Sequence, residues 1–236
     1  MYMKYKRILL KVSGEALAGE KGTGFDDATM EAICDGIKKA YDLGAQIGLV
    51  VGGGNFWRGR TSGKMERTCA DKIGMLATVM NCLAVADKLE QLGVPTQVQS
   101  SLVMPQVADV FTRNSAVASM EAGKVVLFAG GTGNPFFSTD TASALRAIET
   151  GCDIMFKATM VDGVYDKDPK KHADAVKYDT LSFTEVLQKN LAVMDGTAAT
   201  LCRENKLPIL VFDLADPANI ARAVEGESIG TLVVEA

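Results

Sequence analysis

The chain has few of the residues that build the commonest catalytic and metal sites. Its 236 residues include one histidine, His172, and five scattered cysteines with no C-x-x-C spacing. With one histidine and no C-x-x-C spacing, the sequence argues against a zinc site and against a cysteine–histidine dyad, which could use only His172. An odd number of scattered cysteines favours free thiols, as in a reducing compartment.

The sequence also lacks a strong charge of either sign and a long apolar run free of polar residues. Lysine and arginine number 25 against 29 acidic residues, a net charge of −4. We therefore expect no nucleic-acid partner and no attraction to an anionic membrane. The charged N-terminal segment has no secretory pattern, and glycine, proline, glutamine or asparagine interrupts the longest uncharged stretches. Together these features predict a cytoplasmic protein without a membrane span.

Short runs of isoleucine, valine and leucine alternate with longer helical patterns. Several of the runs are apolar on both faces, which is typical of strands in a parallel sheet covered by helices. Glycines at 44, 93, 123 and 151 follow helical patterns, where a left-handed C-terminal cap is wanted. The fold class predicted is α/β, a three-layer sandwich with a mainly parallel central sheet flanked by helices. No linker is evident, so we expect a single domain over 1–236. The strands are predicted at 7–12, 46–51, 96–99, 124–129, 153–157, 209–213 and 230–234, and the helices at 27–43, 71–92, 114–122, 140–150, 183–188, 197–206 and 217–224.

The segment 73–86 has no charged residue and includes Met75, Leu76, Val79, Met80 and Leu83. A helix that is apolar on nearly every face must be buried from more than one side. Two interpretations stay open at this point: a central core helix, or a helix packed against a second copy of the chain.

Glycines gather where predicted strands end. Ser13-Gly14, Gly52-Gly53-Gly54 and the run from Gly130 to Gly133 each follow such a strand. Ligands of parallel sheets bind beyond the carboxyl ends of the strands, and glycine lets backbone N–H groups approach a phosphate closely. No GxxxxGK[ST] loop, GxGxxG at a first strand, or protein-kinase signature is present. The three turns therefore predict a phosphate cradle of a less common kind; tight turns without a ligand are the alternative.

Two cations are candidates for neutralising phosphates in this cradle. Lys11 lies at a strand end beside Ser13, and Arg58 lies in a glycine-flanked loop. Phosphoryl transfer asks mainly for positioning and charge neutralisation, which lysine, arginine, backbone N–H groups and Mg²⁺ can supply. Three carboxylates are harder to interpret because Asp71, Asp140 and Asp195 also stand where helices are expected to begin, and capping is a frequent use of aspartate.

These motifs together resemble the bacterial uridylate (UMP) kinases of the amino-acid kinase superfamily. The resemblance runs from Lys6 to about Val234. It is carried by KVSGEAL at 11–17, GGGNFWRG at 52–59, DKIGMLAT at 71–78, GTGNPFFSTD at 131–140 and KATMVDGVYDKDP at 157–169. It implies an amino-acid kinase-like fold and transfer of the ATP γ-phosphoryl group to UMP, with Mg²⁺ bound along with ATP, in pyrimidine nucleotide biosynthesis. The N-terminal part would mainly bind the acceptor and the C-terminal part mainly ATP.

The resemblance also implies roles for individual residues. Those expected to act in catalysis are Lys11, Arg58, Asp140 and Asp195. Those expected to bind ATP are Lys11, Val12, Ser13, Gly14, Gly54, Arg58, Thr159, Tyr165 and Asp168. Those expected to bind UMP are Gly53, Asp71, Thr132, Gly133, Asn134, Pro135, Phe136, Phe137, Ser138 and Thr139.

Regulation and assembly are implied by the same resemblance. A loop linked to GTP activation would match Gly19, Glu20, Lys21, Gly22, Thr23 and Gly24, although a flexible glycine-rich turn is the alternative. UTP is a second possible effector, and a homohexamer built from dimers is expected. Two other functions stay open: a kinase of the same fold with a carboxylate acceptor, such as aspartate or glutamate, and a nucleotide-binding sensor without turnover.

Overall fold

A nine-stranded sheet runs through the protein in a computed structural model that describes residues 3–57, 63–191 and 193–235. The strand order is β4-β3-β5-β2-β1-β6-β10-β11-β9, and every neighbouring pair is parallel except β10 and β11. A separate antiparallel ribbon joins β7 to β8. The strands are β1 (Arg7–Val12), β2 (Gln46–Val51), β3 (Thr96–Ser100), β4 (Asp109–Val110), β5 (Val125–Ala129), β6 (Ile154–Thr159), β7 (Val164–Tyr165), β8 (Lys177–Tyr178), β9 (Thr180–Ser182), β10 (Ile209–Asp213) and β11 (Gly230–Val234).

Helices connect the strands, and side chains that precede them satisfy their first free N–H groups. Asp26, Thr112 and Ser182 each accept a hydrogen bond from the first turn of the helix that follows. The glycines at 44, 93, 123 and 151 all have positive φ after a helix, as predicted. The helices are α1 (Gly14–Ala18), α2 (Asp27–Asp42), α3 (Arg67–Gln91), α4 (Arg113–Glu121), α5 (Thr139–Thr150), α6 (Phe183–Gln188), α7 (Gly196–Glu204) and α8 (Asn219–Glu225), with a 3₁₀ turn at Gly19–Lys21.

The core forms two apolar layers, one on each face of the sheet. Side chains of α2, α3 and α8 pack on one face against Ile8, Leu10 and Phe156. Side chains of α4, α5, α6 and α7 pack on the other face against Leu9 and Met155. The alternation along β1 and β6 sends successive residues to opposite layers. The predicted three-layer α/β sandwich is confirmed.

Helix α3 combines a buried face with an exposed apolar stripe. Met75 and Val79 are buried, whereas Leu76, Met80 and Leu83 are 49%, 44% and 38% exposed. Among the described residues, α3 is the one helix long and apolar enough to cross a membrane by length and composition. Half of its most apolar window is buried inside the protein, and core helices of globular proteins pass the same test.

Candidate active site

Two lysines on adjacent parallel strands share one carboxylate at the carboxyl edge of the sheet. Lys11 on β1 pairs in register with Lys157 on β6, so both side chains leave the same face. Lys11 Nζ lies 3.1 Å from Asp140 Oδ1, and Lys157 Nζ lies 2.6 Å from Asp140 Oδ2. The three side chains are only 12–15% exposed. One anion between two cations leaves a local positive charge at this edge.

Burial and charge act in opposite directions on this group. Burial would raise the pKa of Asp140, but attraction to Lys11 and Lys157 outweighs it, so the pKa lies below its usual value. The pKa of Lys157 is also lowered, because burial and repulsion from Lys11 outweigh the attraction of Asp140. Attraction to Asp195 also favours the charged form of Lys157, but less than attraction to Asp140 does.

The glycine turns after β1 and β2 meet beside these lysines. A Cβ on Gly14 would lie 2.2 Å from Gly52 O, so no larger residue fits where the two turns touch. A Cβ on Gly52 would lie 3.2 Å from Gly14 N and 3.5 Å from Thr139 Oγ1. Two of the three turns predicted to form a phosphate cradle are therefore in contact, with the first turn of α5 beside them, and Gly131 of the third turn lines one cavity with Gly53 and Gly54.

A cavity of about 200 Å³ opens between α3 and the loop that follows β5. Asp71 Oδ2 accepts a hydrogen bond from Phe136 N at 2.8 Å and pairs with Arg67 Nε at 2.7 Å. The alternative that Asp71 begins the helix is wrong, because α3 begins at Arg67 and is capped by Glu66. Eight residues of the cavity lining were expected to bind UMP or ATP: Gly53, Gly54, Asp71, Thr132, Asn134, Phe137, Ser138 and Thr139. Trp57 and Gly131 also line it.

Asp140 and Asp195 could each have capped a helix, and the structure shows that only Asp195 does so. Ser138, not Asp140, caps α5, by accepting hydrogen bonds from the N–H groups of Asp140 and Thr141. Asp195 does cap α7, through a 3.0 Å bond from Ala198 N. It also accepts hydrogen bonds from the hydroxyls of Ser138 and Thr141, so one carboxylate joins the start of α7 to the start of α5.

Three of the residues expected to bind ATP, which the resemblance places at its nucleoside end, are Thr159 at the end of β6 and Tyr165 and Asp168 in the segment that follows. Thr159 Oγ1 donates to Val161 O at 2.8 Å, and Tyr165 OH donates to Asp162 Oδ1 at 2.7 Å. A cavity of about 360 Å³ has Tyr165 and Asp168 in its lining, but not Thr159. The hydrogen bond from Tyr165 is accepted by Asp162, which raises the pKa of the phenol.

The segment Gly19–Gly24 is attached to the second glycine turn. Thr23 Oγ1 and Gly24 N both donate to Asn55 O, at 2.9 Å and 3.1 Å. Gly19 and Glu20 line a separate cavity of about 690 Å³ beside α2. The segment thus has specific contacts with the residue that follows the second glycine turn.

Arg58, predicted to act in catalysis, lies outside the described residues. Lys157 was missed: within the motif at 157–169, the resemblance implied roles only for Thr159, Tyr165 and Asp168. A single lysine inside the apolar run 154–158 was the available local signal, and its alignment with Lys11 is given only by the register of β1 and β6. Trp57 was also missed, although it lines the cavity between α3 and the loop that follows β5.

The carboxylates at this edge do not form a metal centre by themselves. Within residues 3–57, 63–191 and 193–235, no group of three or more histidine, cysteine, aspartate or glutamate side chains could hold a metal ion. Asp140 and Asp195 are two oxygen donors close to the cradle. This set fits a Mg²⁺ ion that keeps most of its ligands from phosphates and water.

Comparisons with known proteins agree with this geometry. The profile of the amino acid kinase family matches residues 6–213. A uridylate kinase from Paramagnetospirillum magneticum is 54% identical over 232 residues, which cover 98% of this chain and 97% of the relative.

Solved structures give the same result. The UMP kinase from Bacillus anthracis superposes with a TM-score of 0.95 at 37% identity, over 98% of this chain and 96% of the other. The UMP kinase from Ureaplasma parvum has a TM-score of 0.93 at 36% identity, over 99% and 100%. The uridylate kinase from Archaeoglobus fulgidus has a TM-score of 0.72 at 27% identity, over 96% and 99%. The chain belongs to the amino acid kinase family.

Proposed function

We propose that the protein is an ATP:UMP phosphotransferase, which forms UDP and ADP in pyrimidine nucleotide biosynthesis. The observation that carries the proposal is the position of the Lys11–Asp140–Lys157 group, beside touching glycine turns and a cavity bounded by Asp71 and the 131–139 loop. The 54% identical uridylate kinase supports UMP as the acceptor.

Electrostatics explains why both lysines are needed. Two anionic substrates must meet end to end, and unit charges 4 Å apart repel by about 4 kcal/mol at an effective dielectric of 20. Lys11 would contact the transferred phosphoryl group, where negative charge spreads over the equatorial oxygens. Asp140 holds the two ammonium groups in place, so no side chain has to reorganise during transfer.

The two substrates would enter from opposite sides of Lys11. UMP would lie against Gly53, Asp71 and the segment Thr132–Thr139, and its phosphate would face the glycine turns. ATP would place its phosphates on Val12, Ser13, Gly14 and Gly54, and its nucleoside towards Thr159, Tyr165 and Asp168. Asp195 would orient the ends of α5 and α7 that face the phosphates. The role of Arg58 stays a prediction: it would lie between the two phosphate groups and bind phosphate in a bidentate manner.

Mg²⁺ would arrive with ATP, and Asp140 or Asp195 would hold it on the protein side. When bound, the ion would neutralise part of the charge on the phosphates of ATP. The protein's own residues orient the phosphates and separate them from water.

The acceptor is tested with UMP, CMP, aspartate and glutamate in parallel, at equal ATP and Mg²⁺, with ADP release as the readout. We expect release with UMP far above the other three. Turnover with an amino acid but not UMP would establish the carboxylate-acceptor alternative. Tight ATP binding with no UDP formed would establish the sensor alternative.

We also propose how the protein assembles and how it is regulated. The exposed stripe Leu76, Met80 and Leu83 on α3 would pack against a second copy in a homohexamer built from dimers. Sedimentation tests the assembly: a monomer at micromolar concentration would reject it.

GTP would act as an effector through Gly19–Gly24, and UTP is a second proposed effector. We propose a cytoplasmic location, with one domain over the whole chain.

A further inference from the structure

A buried pair of asparagines lies directly behind the second glycine turn. Asn55 Nδ2 donates to Asn81 Oδ1 at 3.0 Å, and Asn81 Nδ2 donates back to Asn55 Oδ1 at 2.8 Å. Asn81 on α3 is fully buried, and Asn55 is 2% exposed. Buried amides are costly unless every donor is used, so a reciprocal pair needs further partners for its remaining hydrogens.

Those partners are backbone carbonyls of two loops. Asn81 Nδ2 also donates to Gly52 O at 2.6 Å, and Asn55 Nδ2 also donates to Gly24 O at 2.8 Å. All four amide hydrogens are therefore used. The pair joins α3, the Gly52–Gly54 turn and the end of the Gly19–Gly24 segment, which are far apart in sequence.

Bonds from the main chain of Asn55 complete the connection. Its carbonyl accepts from Thr23 Oγ1 and Gly24 N. A Cβ on Gly14 would lie 2.7 Å from Asn55 Oδ1, so the amide also limits the first glycine turn. A leucine or methionine at either position would fill a similar volume, but it could not donate a hydrogen bond to the carbonyl of Gly24 or Gly52.

We infer that Asn55 and Asn81 are a positioning pair, which aligns the Gly52–Gly54 turn for phosphoryl transfer and transmits the position of the Gly19–Gly24 segment to it. The expected effect of the pair on turnover rests on the proposed function, whereas the link that the pair makes between the two loops does not. The pair touches no substrate; it acts through the backbone of the turn.

The test uses isosteric changes, Asn81→Asp and Asn55→Asp. Asn81→Asp removes both donors and turns a carboxylate towards Gly52 O and Asn55 Oδ1. We expect kcat to fall by about tenfold or more, with KM for ATP and for UMP each changed by less than about threefold, because alignment matters most in the transition state. Hydrogen exchange should quicken at 19–24 and 52–57, while the strands keep their protection.

Thr150→Val is the matched control, because Thr150 is fully buried and its hydroxyl donates to Arg146 O at 2.6 Å, near the end of α5. It should lower the melting temperature to a similar extent, with kcat and exchange at 19–24 unchanged. The inference is overturned if the asparagine variants keep parental kcat, if they lose no more than the control, or if exchange rises uniformly. Should Asn81→Asp fail to fold, Asn55→Asp in the turn carries the same expectations. A parent enzyme inactive on UMP would reject the proposed function, and the exchange result would still decide the structural link.

Discussion

The loop that would receive UMP and the segment that would receive the adenine nucleoside are held in contrasting ways. The acceptor loop, 130–139, is bonded to distant parts of the chain: Gly130 N donates to Thr78 Oγ1, Phe136 N to Asp71, and Ser101 Oγ to Gly131 O. The nucleoside segment, 160–178, is held mainly by its own residues, as in the Lys167–Asp174 and Lys177–Asp162 ion pairs.

This contrast has an energetic consequence. Exposed ion pairs such as Lys167–Asp174 contribute about 0–1 kcal/mol each, whereas breaking a buried hydrogen bond leaves an unpaired group that costs about 1–3 kcal/mol. The bond from Val164 N to Thr231 Oγ1 is a buried link from the nucleoside segment to the sheet. We therefore expect the acceptor loop to be ordered before substrate binds, and the nucleoside segment to adapt to ATP.

The largest effect is expected at Lys11, which pairs with Asp140 directly after the acceptor loop. Lys11→Ala should lower kcat by about 100- to 1,000-fold with a much smaller change in KM for ATP, because its charge matters most during transfer. Steady-state kinetics with UDP formation measures this, and Lys6→Ala, an exposed lysine before the same strand, is the control. Equal turnover in variant and parent would remove Lys11 from the mechanism.

Asp71 tests whether the acceptor loop is held from outside. Asp71→Ala removes the bond to Phe136 N, so we expect KM for UMP to rise by about tenfold with KM for ATP little changed. Saturation curves for each substrate separate the two constants. An equal rise in both would mean that the two regions are not independent.

Tyr165 gives the matching measurement in the nucleoside segment. Because this segment is held locally and is largely exposed, Tyr165→Ala should raise KM for ATP by only about three- to tenfold, through loss of a stacking face. Tyr165→Phe keeps the ring and should behave as the parent. A large loss of kcat in either variant would contradict an adaptable nucleoside segment.

The smallest effect is a change in the pH profile. The pKa of Lys157 is lowered from 10.5 by burial and by Lys11, against the attraction of Asp140. The lysine loses its charge as pH rises through this lowered pKa, so kcat/KM should decline on the alkaline side earlier than an ordinary lysine would cause. Lys157→Arg keeps its charge, and its decline should move to higher pH.

Profiles of kcat/KM against pH for the parent and Lys157→Arg test this prediction. Lys171→Arg, at an exposed lysine, is the control. Identical alkaline declines in all three proteins would show that Lys157 does not set the pH profile. The other charged groups that act on Lys157 are Lys11, Asp140 and Asp195.

Much of the fold was predictable because local patterns agreed with the tertiary structure. The bounds predicted for β1, β2, β10, β11 and α6 match the structure, and the other principal elements differ by a few residues at their ends. The five-residue helix α1 and the short strands β4, β7, β8 and β9 were missed, because two to five residues carry little periodicity. The start of α3 was placed four residues late, since Glu66 is an unusual cap that accepts from Thr68 and Cys69.

The candidate site was predictable in its parts but not in its connections. Glycines at strand ends and Lys11 stood out from their positions alone. The partner of Lys11 did not: Asp140 could equally have capped α5, and only the position of Ser138 shows that it does not. Lys157 was overlooked because its importance comes from the β1–β6 register, which no local pattern contains.

The sequence by itself determined the α/β class, the two-sided apolar strands and the glycine turns, because these depend on residues close together in the chain. Only the tertiary structure decided which charges and amides meet, namely Asp140 between two lysines and Asn55 against Asn81. The reason is physical: such contacts join residues on different strands and helices, and their geometry exists only once the sheet has set strand order and register.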